Sequence, residues 1–120
     1  MTIVPLKTYL RTHRKRTGFT HDEVAFLLGG MCGANVARHE KAKRFPALRT
    51  VLMYEFIFDV TVRELYEGVF DEMRIRVRGR ARGLLSSLSK SPQSALRDQK
   101  METLRRLLEV ETEVAERRHA

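Results

Sequence analysis

At 120 residues the chain has room for one domain with an appendage, and three prolines, seven glycines and no tryptophan suit a helical fold with few tight turns. A composition of 42% hydrophobic and 32% charged residues excludes a disordered chain, and no apolar run approaches the ~18 residues that a membrane span requires. The single cysteine, Cys32, excludes an intrachain disulfide and makes a reducing, cytoplasmic setting the default. The basic opening stretch MTIVPLKTYLRTHRKR lacks the apolar core of a secretion signal.

The net charge of +8 is unevenly placed. Residues 1–49 hold ten Lys/Arg against three Asp/Glu, residues 50–72 one against six, and residues 73–90 six against none, while residues 91–120 balance. Two basic blocks separated by an acidic segment point to a polyanion, most simply nucleic acid.

Pro5 is placed to open a helix, in which Leu6, Tyr9, Leu10 and His13 recur at helical spacing and Gly18 supplies the stop. Thr20 and Glu23 form a capping box at the start of a second helix, which carries Val24, Ala25, Leu27 and Leu28 and ends at Gly29-Gly30. After a turn through Met31, Cys32 and Gly33, a third helix is predicted from Ala34 to Lys41, anchored by Val36. A basic loop, Lys41-Ala42-Lys43-Arg44-Phe45-Pro46, precedes a strongly apolar fourth helix. Its Leu48, Val51, Leu52, Tyr54, Phe56 and Phe58 suggest the centre of the core. Thr61 and Glu64 repeat the capping-box pattern before a short fifth helix that reaches Gly68.

From Val69 onward, Phe70, Met73, Val77, Ala81, Leu84 and Leu88 form a continuous stripe at helical spacing, flanked by arginines between 74 and 82. Ser89 to Ser94 reads as a break. A final helix, roughly 95–117, carries Met101, Leu104, Leu107, Leu108, Val114 and Ala115 on one side. The expectation is an all-α chain: a five-helix domain over residues 1–68 and a helical extension over 69–120.

Between residues 6 and 68, GFTHDEVAFLLG leading into VARHEKAKRFP, then an apolar helix and a capped one, resembles the Cro and phage-repressor family of helix-turn-helix transcriptional regulators, the xenobiotic-response-element type. The resemblance implies a repressor-like domain that inserts its third helix into the major groove of double-stranded DNA. Position by position it implies base contacts from Gly33, Ala34, Asn35 and Arg38. Of these only Asn35 and Arg38 carry side chains able to read adenine or guanine in bidentate fashion. It implies backbone phosphate contacts from His21, which stands where the family usually has glutamine, and from Thr17, Lys41, Lys43 and Arg44. Arg14 and Glu40 match a structural ion pair. The turn is one residue longer than the family pattern, and Ala42 stands where a glycine is common.

Other chemistry finds little footing. His13, His21, His39 and His119 lack metal-ligand spacing, and no phosphate loop, nucleophile elbow or paired carboxylate is present. No catalytic residue, metal or cofactor is therefore expected. Cys32 reads as a small turn residue, with a reactive thiol as the alternative. The extension is expected to form a homodimer through residues 69–120, as regulators of two adjacent half-sites require, or else a helical hairpin closing on itself near Ser91-Pro92. Two functional alternatives stay open beside the regulator. One is a protein-interaction module, antitoxin- or adaptor-like, using the C-terminal helices, and the other a non-specific nucleic-acid binder.

Overall fold

The computed structural model describes residues 5–119, with side chains through residue 109. Among these residues there are seven helices and no strand: α1 (Leu10–Thr17), α2 (His21–Leu27), α3 (Gly33–Glu40), α4 (Leu48–Phe58), α5 (Val62–Leu65), α6 (Glu67–Ser89) and α7 (Ala95–His119). The chain is all-α. It divides into two compact units, Met1–Asp71 and Glu72–Ala120.

In the first unit the capping signals act as their chemistry dictates. Gly18 closes α1 in the left-handed conformation at φ 81°, which costs glycine little. Thr20 Oγ1 accepts from the Glu23 N–H at 3.1 Å while Glu23 Oε1 accepts from the Thr20 N–H at 2.9 Å. At Thr61 only the hydroxyl half of the expected capping box is seen, Oγ1 accepting from the Glu64 N–H, and Glu55 of α4 takes the neighbouring Val62 N–H at 2.8 Å.

The start of α1 differs from expectation. Residues 5–9 are not helical, and Leu6 is exposed instead of core-facing. Thr8 Oγ1 accepts from the Leu10 N–H, a local bond that competes with helix continuation. The segment is instead tied by its backbone to the α5–α6 junction: Tyr9 N–H donates to the Leu65 carbonyl at 2.7 Å and Gly68 N–H to the Leu6 carbonyl at 2.9 Å. A Cβ on Gly68 would strike the Leu6 carbonyl, so the close approach requires glycine.

Leu10, Val24, Ala25, Leu28, Val36, Tyr54, Phe58, Leu65 and Tyr66 form the core. Tyr54 stacks on Phe58 with ring centroids 5.9 Å apart. Leu27, expected inside, faces out beside Phe26. The fourth helix is also less central than its composition suggested. It buries Tyr54 and Phe58, but Leu48, Leu52 and Phe56 fall between roughly a third and half a turn round the helix and are exposed. A helix on the surface of a small domain has one face to bury, and an apolar sequence does not change that.

In the second unit α6 and α7 pack as an antiparallel hairpin, the self-closing alternative for the extension. Arg97 donates to the Leu88 carbonyl at 2.8 Å near the turn, and Arg78 to the Leu107 carbonyl at 3.3 Å further along. Ser94 caps α7 through the Arg97 N–H. Ala81, Met101 and Leu104 are buried. The predicted stripe of α6 holds in part: Ala81 is buried and Phe70 and Leu88 half-buried, but Met73, Val77 and Leu84 are exposed, and Arg78 is turned inward, its aliphatic stem covered and its Nε satisfied by a main-chain carbonyl. Val114 and Ala115 lie outside the residues whose side chains are described.

Candidate nucleic-acid interface

The α2–α3 turn depends on Gly29 and Gly30, whose φ values of 107° and 96° disfavour any side chain. Cys32 then provides extended backbone at the N-cap of α3 and is itself exposed. The helix starts at Gly33, one residue earlier than predicted, and ends at Glu40. Gly33 is buried against Asp22 of α2, and a Cβ there would meet the Asp22 carboxylate. Its role is therefore close packing of α3 on α2, and the base contact implied for it has no exposed surface to work from.

The remaining residues of α3 divide cleanly. Val36 is fully buried and His39 is 4% exposed. His39 Nδ1 bonds the Tyr54 hydroxyl at 2.8 Å, a pairing the sequence did not suggest although His39 follows Val36 at helical spacing. Burial, reinforced by the Arg44 charge, holds His39 below the usual histidine pKa, so the neutral ring is favoured. Burial also pushes the Tyr54 hydroxyl up, which keeps it protonated.

Ala34 and Arg38 are exposed on the opposite side, with Asn35 half-buried between them. Arg38 Nη1 donates to Asn35 Oδ1 at 2.8 Å, so the two candidate base-readers are joined to each other.

Glu40 fixes the far end of α3. Arg14 donates to it from Nε at 2.6 Å and from Nη2 at 3.3 Å, and spends its remaining Nη1 on the Phe19 carbonyl. His21 Nε2 lies 3.0 Å from the same carboxylate. Burial pushes the Glu40 carboxyl up, but the hydrogen bonds and charges of Arg14 and His21 outweigh it and bring its pKa below the usual range. One carboxylate thus ties α3 to α1 and to the first residue of α2. His21, expected on a phosphate, commits its Nε2 to this bond, because α2's first turn sits beside the end of α3, while its side chain stays 40% exposed.

Thr17, the weaker phosphate candidate, is bonded within its own turn. Its hydroxyl donates to the Arg14 carbonyl at 2.6 Å and accepts from the Phe19 N–H, closing α1. Lys41, Lys43 and Arg44 are all exposed in the loop after α3. The loop turns at Ala42, which holds a left-handed φ of 55°, the conformation that explains a glycine preference here. Lys43 N–H donates to the Arg38 carbonyl at 3.1 Å, so the basic loop folds back on the helix end.

No three His, Cys, Asp or Glu side chains cluster as a metal site among the described residues, and no helix there is long and apolar enough to cross a membrane. No family model matches the chain, and neither a curated protein nor a solved structure is found to be similar to it.

Proposed function

We propose that the chain is a sequence-specific DNA-binding regulator of the helix-turn-helix repressor type, which inserts α3 into the major groove and occludes a promoter. One observation carries the reading: α3 is held from behind by Val36, His39 and Glu40, presents Ala34, Asn35 and Arg38 outward, and runs straight into three exposed cations. A rigid helix with polar base-readers and a basic flank is what groove recognition needs. Lys41, Lys43 and Arg44 anchor the backbone phosphates and set orientation, and Arg38 reads a guanine edge. Asn35 both steadies Arg38 and offers its own amide to a neighbouring base. The Ala34 methyl suits a thymine methyl.

The experiment is selection of bound duplexes from a random pool, followed by a salt titration on the selected sequence. The log–log slope should be steep, with roughly −3 per copy from the three loop cations. Preference for the selected sequence should persist as salt rises. Affinity that survives without preference would mean a non-specific binder.

A second reading, a protein-interaction module, is favoured by the exposed Met73, Val77 and Leu84 on α6. It predicts no selected DNA sequence at all.

A further inference from the structure

The least expected surface of the first unit is the outward side of α4. Leu48, Leu52 and Phe56 stand at successive turns with 72%, 49% and 89% of their surface exposed, and Met53 borders them. Isolated exposed apolar residues are ordinary, but a contiguous row of them is not. From typical side-chain areas the row exposes on the order of 400 Å², the size of patch that on monomeric proteins is often functional. Doubled and given a polar rim, it approaches the ~1,000 Å² at which a specific interface begins.

The row carries no charge that would oppose a second copy, and its spacing is self-matching. Positions 48, 52 and 56 carry none; the charged neighbours on α4 are Arg49 and Glu55, and Glu55 is engaged with the Val62 N–H. Leu48 and Phe56 lie four residues either side of Leu52, so the row matches itself under a two-fold axis. With two α4 helices crossing antiparallel, the Leu52 side chains meet on the axis and Leu48 of each copy meets Phe56 of the other. The exposed row on α6 differs, because Arg76 and Arg80 are exposed alongside Met73, Val77 and Leu84, and self-pairing would bring like charges together.

We propose that α4 is the docking surface for a second copy of this chain, with Leu48, Leu52 and Phe56 as its core. The contact lies on the first unit, not on residues 69–120. It goes beyond the DNA-binding reading and does not depend on it.

Sedimentation velocity of the full chain without DNA, from about 1 to 300 µM, tests it. The modest area predicts dimerisation in the micromolar range. Phe56→Glu should raise the dissociation constant more than about 100-fold, since on each side of the axis it sets a carboxylate against Leu48 of the other copy. Leu52→Glu should do the same by setting two carboxylates together on the axis, and both variants should keep the parent's circular dichroism and, at concentrations where the parent is monomeric, most of its thermal stability, because Phe56 faces water and Leu52 is half exposed in the single chain. Val77→Glu on α6 should leave the dimer intact. A wild-type chain monomeric at about 300 µM would overturn the proposal, and so would a dimer that survives Phe56→Glu or is lost only in Val77→Glu. The measurement stands apart from DNA recognition: loss of sequence selection with an intact α4 dimer would defeat the DNA reading alone.

Discussion

Replacing Glu40 by alanine removes the acceptor for two Arg14 donors and for His21. The carboxylate is 5% exposed and the Arg14 side chain 12%, so the guanidinium left behind is largely cut off from water, whereas His21 at 40% rehydrates readily. Breaking a buried pair from one side costs about 3–5 kcal/mol, and partial rehydration of His21 moves this site to about 3 kcal/mol. For a unit of this size that corresponds to a thermal midpoint roughly 10–20 °C lower. Circular dichroism melts of the full chain would measure it, monitored together with urea titrations. Replacing both partners, Arg14→Met with Glu40→Leu, should recover most of the loss, because no charge is then stranded. A cost under about 1 kcal/mol for Glu40→Ala, or strict additivity in the double variant, would refute the claim that Glu40 locks α3 in place.

Ala42→Gly should stabilise the chain by about 0.5–1 kcal/mol, the relief of a left-handed alanine less the extra unfolded-state entropy of glycine; a loss in urea titration would contradict this. Gly68→Ala should cost about 2 kcal/mol or more, since its methyl group meets main chain at Leu6; a neutral result would show that residues 5–9 are not docked as described. His39 is held below its ordinary pKa, so stability is complete above about pH 6.5 and is lost as the pH falls toward its folded value, where only the unfolded chain takes up the proton. His39→Gln should flatten that window, with His13, also lowered by burial, left as the residual slope. Glu40 acts at lower pH: its contribution is present above the ordinary carboxylate range and disappears as the pH falls through its depressed value.

Local signals were legible in the sequence where local chemistry decides the outcome. Thr20 with Glu23, Thr61 and Gly18 specify helix ends through bonds within three residues, and all three act as their types predict. The Arg14–Glu40 pair was visible only through the family resemblance, because nothing in composition links residues 26 apart. What the sequence hid is tertiary. Apolar spacing named Leu48, Leu52 and Phe56 as core, yet which side of a helix is buried depends on what packs there. Periodicity likewise favoured Met73, Val77 and Leu84 over Arg78, until α7 supplied a carbonyl for the arginine. Gly33 looked like a base-contact position with a missing side chain. Its reason is Asp22, eleven residues earlier. Residues 5–9 lost their helix to backbone partners near residue 66, which no local pattern announces.

Amide chemical-shift mapping of the full chain with its selected duplex tests the central claim most directly. The account predicts the largest changes at Ala34, Asn35 and Arg38 and through Lys41–Arg44, with the Asn35 and Arg38 side-chain signals shifting together and Val36 and His39 little changed. Changes confined to the arginines of α6, with α3 silent, would contradict it.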